Sequence, residues 1–120
     1  MSTKRLVAAA LVAALFPAAA CGSEGEPIVA SRGVGLYETN CANCHGSALE
    51  GTAKGPSLLS IVYEPNHHTD ESMRSAIANG ARQHHWAFGD MKPIDGLSER
   101  DVDQIIAHVR SEQERLGFVR

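Results

Sequence analysis

The stretch CANCH, from Cys41 to His45, decides how this chain can fold. Two cysteines separated by two residues can form a redox dithiol, supply half of a zinc site, or anchor a covalently attached haem. These three uses require different partners elsewhere in the chain, so the rest of the sequence has to distinguish them.

The residues outside CANCH favour the haem. A redox dithiol usually accompanies a βαβ unit, and the sequence shows no convincing alternating strand. A zinc site needs four ligands, and there is no second CxxC. Two thiols on one helical turn can instead reach the two vinyl groups of one porphyrin, and the histidine that follows reaches its iron. The motif therefore predicts that Cys41 and Cys44 anchor a haem and that His45 is the proximal iron ligand.

The first twenty residues have the pattern of an export signal. Lys4 and Arg5 are followed by an apolar run over 6–16 and by small residues over 17–20. The apolar run is too short for a bilayer-spanning helix, which needs ~20 residues. Cys21 comes directly afterwards and resembles the acylated cysteine of bacterial lipoproteins, which predicts a lipid anchor. Ordinary cleavage that leaves a spare thiol is the alternative.

Composition indicates one small domain without a disulfide framework. The chain has 120 residues, three cysteines and a formal net charge of -3. No basic run or aromatic-interleaved basic patch indicates nucleic-acid binding. We expect a signal peptide over 1–20, an acylated cysteine and flexible tether over 21–31, and the folded domain over 32–120.

Two helices are indicated in the first two thirds of the chain. The first is predicted over about 32–44 with Ser31 as its N-cap, so that CANCH lies at its C-terminal end. The second is predicted over about 70–79, because Thr69 can cap its first turn and Gly80 can end it.

The last helix has the clearest pattern. Ser98 and Asp101 form a capping-box-like start. The apolar residues that follow recur at helical spacing, at Val102, Ile105, Ile106 and Val109. A domain this small and all-α has little apolar area for a core, so a haem buried between the helices would supply the missing apolar mass.

Residues after CANCH can complete a haem site. The Gly-Pro pair ending at Pro56 is placed so that a backbone carbonyl can bond the outer nitrogen of His45. Met91 lies in a loop before the last helix, where its thioether can supply the sixth ligand of the iron. Trp86 and Phe88 precede Met91 and are expected to line the haem on the methionine side.

With these pieces the chain closely resembles the class I cytochromes c. The matching segments are GLYETNCANCHG at 35–46, GP at 55–56, DMKP at 90–93 and LSERDVDQIIAHVRS at 97–111. The resemblance implies an all-α cytochrome c fold, three to four short helices around one covalently bound haem c, with His45 and Met91 as axial ligands. It also implies that Gly35 and Tyr37 lie where the first helix crosses the last. His108 stands where the family often has an aromatic residue in the last helix.

Other side chains compete for the iron. Met73 lies mid-helix in an apolar stripe, which favours a position in the core. The chain also carries two histidine pairs, His67-His68 and His84-His85. An imidazole in place of Met91 would lower the potential. The four histidines could alternatively hold a second metal, with one ligand from each pair if adjacent side chains point apart, or simply bond backbone, propionates or water.

The predicted function is electron transfer, since an iron with both axial positions filled has no open position for a substrate. The protein is expected to be lipid-anchored at a periplasmic or extracytoplasmic membrane face. There it would exchange electrons with a redox donor and an acceptor, as a shuttle or as a subunit of a periplasmic oxidoreductase. The alternatives are a haem-based peroxidase or sensor with a labile sixth ligand, and a redox module with a second, histidine-bound metal.

Overall fold

The computed structural model describes residues 26–118, with side chains from residue 31 onward. It contains the helices α1 (Glu26–Asn40), α2 (Ala42–His45), α3 (Asp70–Asn79) and α4 (Glu99–Arg115), and a 3-10 turn at Ile61–Tyr63. The described residues form no strand, only isolated bridges between Thr52 and Gly55 and between Ala81 and Met91. The predicted all-α architecture is confirmed.

Helix α1 begins earlier and ends earlier than predicted. The chain is already helical at Glu26, so the predicted start at Arg32 is wrong, and Ser31 lies inside α1 rather than at its N-cap. Pro27 does not prevent this, because a proline in the first turn gives up an N–H that has no intrahelical partner. CANCH follows α1 as a separate helical turn.

The predicted N-terminal features are mostly outside the described residues. The export signal over 1–20, the anchor Cys21 and residues 22–25 all lie there. Residues 26–31, which the sequence analysis included in the tether, belong to α1. Between residues 26 and 118, no helix is both long enough and apolar enough to cross a membrane.

Helices α3 and α4 begin at the predicted caps. The Thr69 side chain accepts a hydrogen bond from the Ser72 N–H at 3.1 Å, and Gly80 ends α3 with a φ of 76°. Ser98 and Asp101 form a complete capping box at the start of α4. Local side-chain chemistry therefore sets three of the boundaries that frame the cleft described below.

The core forms where the apolar stripe of α4 packs against α1 and α3. Its buried apolar members are Tyr37, Leu49, Ile77, Val102, Ile105, Ile106 and Val109. All four predicted stripe residues of α4 are among them, which confirms that this face packs inward.

Helix α1 crosses α4 at Gly33. A Cβ at Gly33 would lie 2.5 Å from the carbonyl oxygen of Gln104, so the close approach requires glycine. The expectation that Gly35 lies at this crossing is wrong, because a Cβ at Gly35 would meet nothing within 4 Å. Tyr37 does lie there, with its ring edge-on to His108 and the ring centroids 5.3 Å apart. The imidazole thus occupies the aromatic position of the crossing.

Side chains of α4 also fasten the loop between α2 and α3. Arg110 donates to the carbonyl of Tyr63 at 2.6 Å and to that of His68. Gln113 is fully buried, donates to the Leu58 carbonyl at 2.7 Å and accepts from Arg110 at 2.8 Å. These loop carbonyls lie outside regular secondary structure, and the side chains of α4 satisfy their hydrogen bonds. The loop is thereby held against α4.

Candidate functional site

A cleft of about 170 Å³ lies between the helices and the loop that precedes α4. Its apolar wall includes Leu58, Ala76, Ile77, Ile105, Ile106 and Val109. The sequence-predicted residues Cys41, His45, Pro56, Trp86, Phe88 and Met91 line the same cleft. Side chains separated by half the chain are therefore brought together around one largely apolar space.

His45 is held in a defined tautomer. Its Nδ1 lies 2.9 Å from the carbonyl oxygen of Pro56, and a carbonyl can only accept, so Nδ1–H donates. The Nε2 lone pair is then left free on a half-buried ring that lines the cleft. The predicted hydrogen bond to Pro56 is present, and it is the kind of support that metal-bound imidazoles usually have.

The two cysteines of CANCH share one helical turn but differ in their surroundings. The Cys44 N–H donates to the Cys41 carbonyl at 3.1 Å, and both are free and half-buried. Cys41 lines the cleft, whereas Cys44 is not among the lining residues and packs beside Gly55, where a Cβ would lie 3.1 Å from its own. Burial, with a smaller contribution from Cys44, raises the pKa of Cys41 to about 11. This environment disfavours the thiolate that disulfide exchange requires.

Met91 is positioned through its backbone. Its N–H donates to the Ala81 carbonyl at 2.8 Å, and the Ala81 N–H donates to the Met91 carbonyl at 3.0 Å. A Cβ at Gly80 would lie 2.6 Å from the Met91 oxygen, so this bridge depends on a glycine. Met73 packs against the core as expected but lines the cleft too. Both candidate thioethers therefore reach the same space.

Aromatic side chains border the cleft on the Met91 side. Trp86 and Phe88 line it with 38% and 43% of their surface exposed. The Trp86 ring stacks on Tyr63 at 6.0 Å between centroids, and burial raises the pKa of Tyr63. Tyr63 was not identified from the sequence, because a single tyrosine in a turn-rich loop is only a weak signal of a functional role.

The two histidine pairs meet at the rim of the cleft. The Nε2 atoms of His67 and His85 are 3.4 Å apart, and so are those of His68 and His84. The expectation that adjacent histidines point apart is wrong. The ring centroids of His67 and His68 are 4.8 Å apart and those of His84 and His85 are 4.4 Å apart. The reason is that His67 and His68 lie in a turn rather than in extended chain.

Three further residues shape the site. Arg110 and Gln113 were not identified from the sequence, and Tyr37 was identified only for the helix crossing. Arg110 and Gln113 hold the loop that carries His67 and His68, and the Tyr37 hydroxyl donates to the Gly46 carbonyl at 2.8 Å, tying α1 to the end of α2. Gln113 continues the apolar spacing of α4 one turn beyond Val109. This spacing is the sequence signal that could have placed Gln113 on the buried face of α4.

The comparisons with known proteins agree with this geometry. The family model described as cytochrome c matches residues 30–113. The chain is also similar to cytochrome c-554(547) of Halothiobacillus neapolitanus, with 29% identity over 85 residues, 67% of this chain and 92% of that protein. The matched region contains every residue that lines the cleft. The chain therefore belongs to the cytochrome c family and is a haem protein of electron transfer that carries a covalently bound haem c.

Proposed function

We propose that this protein is a lipid-anchored, extracytoplasmic monohaem cytochrome c in which His45 and Met91 are the axial ligands of the iron. Family membership gives the covalent haem c, the electron transfer and the need for redox partners. The residue assignments rest on one observation above all. The free Nε2 of His45 and the side chain of Met91 line the same apolar cleft as Cys41.

The donor set of the chain fits a haem c. Cys41 and Cys44 supply two thiols from one turn for the thioether bonds, and His45 follows them directly. When bound, the group supplies an iron that gains or loses one electron. Ile77, Ile105 and Val109 give the cleft an apolar lining, and burial in such surroundings is one of the factors that tune a haem potential.

The His45 ring and the Met91 backbone are held independently of any bound group. The Pro56 carbonyl fixes the orientation of the His45 ring, and the Ala81 bridge fixes the backbone of Met91. Ligands that are positioned in advance need to move little when the charge at the site changes. This favours fast electron exchange over substrate chemistry.

The membrane location is proposed from the N-terminal sequence. Residues 1–20 have the pattern of an export signal, and Cys21 is positioned as an acylated N-terminus. Members of the cytochrome c family are typically extracytoplasmic, which agrees with export. Two or more acyl chains would hold the domain firmly at a membrane surface, as a shuttle or as a subunit of a periplasmic oxidoreductase.

The optical spectrum of the ferric protein tests the ligand assignment. Methionine ligation gives a weak sulfur-to-iron charge-transfer band at the red edge, and Met91→Ala should abolish it. Met73→Ala is the matched control, because Met73 lines the same cleft, and it should keep the band. Loss of the band in Met73→Ala alone would transfer the role to Met73.

A native spectrum without this band would instead favour the peroxidase or sensor alternative. A low-potential carrier with an imidazole ligand is the other alternative, and one observation favours it, since His68, His84 and His85 line the cleft together with Met91. An imidazole or an open position at the iron would then replace the thioether.

A further inference from the structure

The histidine cluster, comprising His67, His68, His84 and His85, is a second chemical centre that electron transfer by the haem does not require. Three of its members, His67, His68 and His85, have ligand atoms that all lie within 4.8 Å of one another. The fourth, His84, has its Nε2 3.4 Å from that of His68. Four imidazoles from two loops therefore point their nitrogens at a common region.

The hydrogen bonds on the far side of two rings determine which nitrogens are available. His68 Nδ1 lies 2.6 Å from the Val62 carbonyl, and His84 Nδ1 lies 2.7 Å from the Arg82 carbonyl. Carbonyls only accept, so each Nδ1 carries the proton. In the neutral rings both Nε2 atoms then carry lone pairs, and they face each other at 3.4 Å. Two lone pairs in that position do not form a hydrogen bond.

Protonation of one ring would relieve the contact between the two lone pairs, but its charge would be poorly placed. A charge on His68 would lie beside the other imidazoles and near Arg110, whose guanidinium bonds the His68 carbonyl. A shared metal ion satisfies the lone pairs without adding a proton to any ring.

The spacing within each facing pair of rings agrees with two ligands of one ion. Two nitrogens each about 2.05 Å from a tetrahedral zinc are separated by about 3.3 Å. The two Nε2 pairs of the cluster are both separated by 3.4 Å. The Nδ1 hydrogen bonds of His68 and His84 to backbone carbonyls are the usual outer support of metal-bound imidazole.

Both loops of the cluster are braced. Arg110 holds the carbonyls on the His67-His68 side to α4. On the other side, the Gln83 N–H donates to Asp90 at 3.0 Å, and the Gly89 N–H donates to the Gln83 side chain at 2.9 Å. The rings therefore approach one another from supported backbone rather than from two loose segments.

We propose that the histidine cluster binds one borderline transition-metal ion, with His67, His68 and His85 as ligands and His84 as a fourth. The 3.4 Å spacing within each facing pair fits Zn²⁺, and among divalent ions a set of imidazoles binds Cu²⁺ most tightly. The site lies at the rim of the haem cleft, since three of its histidines also line that cleft.

Metal content measured against haem iron tests the proposal. Untagged holoprotein is stripped with a chelator, dialysed against micromolar Zn²⁺, desalted and analysed by inductively coupled plasma mass spectrometry. The covalently bound haem supplies one iron per chain as an internal standard, so the expected result is one zinc per iron. Cu²⁺ added in competition should displace the zinc.

The double variant His67→Ala/His85→Ala should bind zinc more than about 100-fold more weakly, because the loss of a direct ligand exceeds the 10–100-fold cost of losing an outer partner. His108→Gln is the matched control, since His108 packs on Tyr37 outside the cluster, and it should retain the zinc. An unchanged haem spectrum in each variant shows that the fold and the iron ligands are intact.

Three results would overturn the proposal. The first is native holoprotein that retains no zinc, and the second is equal zinc retention by the double variant. The third is a change of iron ligation in the double variant, which would assign the cluster to the haem instead. The first two results do not depend on whether Met91 is the sixth ligand, whereas the third would show that a histidine of the cluster holds the iron.

Discussion

The cleft has two walls that are built in different ways. The near wall, residues 41–56, is closed by hydrogen bonds between residues close in sequence, such as His45 to Pro56 and Thr52 to the Cys44 carbonyl. The far wall, residues 81–91, is exposed from residue 82 to residue 90. Besides its own Ala81–Met91 bridge it has contacts with a distant loop, such as His67 to His85 and Tyr63 to Trp86. The near wall therefore depends mainly on local contacts, whereas the far wall also depends on contacts with distant parts of the chain.

The largest effect is expected when the near wall loses its anchors. Cys41→Ala/Cys44→Ala should prevent covalent attachment of the haem and leave the protein largely unfolded, because the apolar core of so small a domain is marginal alone. Circular dichroism should show loss of most helical signal. Cys21→Ser is the matched control and should keep both the haem and the helicity. Full helicity in the double alanine variant would contradict the expectation.

A smaller but still large effect is expected when the brace of the histidine loop is removed. Arg110 is 12% exposed and bonds the Asp70 carboxylate at 2.7 Å besides the Tyr63 and His68 carbonyls. Arg110→Met should lower the free energy of unfolding by about 2–4 kcal/mol, because partly buried carbonyl groups lose a charged donor. Chemical denaturation of the holoprotein measures this.

The same variant should also weaken zinc binding, while the near wall and the attached haem persist. Arg115→Met is the control, since its ion pair with Glu112 is exposed and such pairs contribute about 0–1 kcal/mol. Equal destabilisation by both substitutions would show that Arg110 does not brace the loop.

These differences explain what could be predicted from the sequence. The motif, the Pro56 carbonyl and the caps at Thr69 and Ser98 involve neighbours in the chain, so their chemistry could be recognised directly. The meeting of the histidine pairs joins residues 16 and 18 positions apart and depends on Arg110, which lies 42 positions from His68. No local pattern encodes that arrangement.

The helix crossing shows the same limit within a single helix. Gly33 and Gly35 are two residues apart, so they face directions about 200° apart around α1, and only one of them can touch α4. The resemblance selected Gly35, and the structure selects Gly33 because Gln104 lies there. The prediction of a flexible tether at residues 26–31 was wrong for a similar reason. Pro27 favoured a tether, but a proline is also compatible with the first turn of a helix.

The two glycines provide a matched pair of substitutions. Gly33→Ala should destabilise the protein by about 1–3 kcal/mol, since the new Cβ would overlap the Gln104 carbonyl and force α1 away from α4. Gly35→Ala should stabilise it by about 0.5–1 kcal/mol, because alanine favours the helix and the added methyl meets nothing within 4 Å. Thermal unfolding of the two holoproteins measures the difference. If Gly35→Ala were the more destabilising of the two, Gly35 rather than Gly33 would lie at the helix crossing.

The smallest expected effect is a pH dependence at the same crossing. Hydrogen bonds from Ser98, and then the Arg32 guanidinium at 2.7 Å, lower the pKa of Asp101 to about 2. A carboxyl group with a lowered folded-state pKa adds stability above its unfolded pKa, near 3.9, and loses it as the pH falls towards 2. The native protein should therefore lose stability between pH 4 and pH 2 more steeply than Asp101→Asn, which has no carboxylate there to protonate. Unfolding midpoints of the two holoproteins across that range measure the effect. Parallel curves would mean that neither the Ser98 cap nor the Arg32 link to Asp101 contributes to stability.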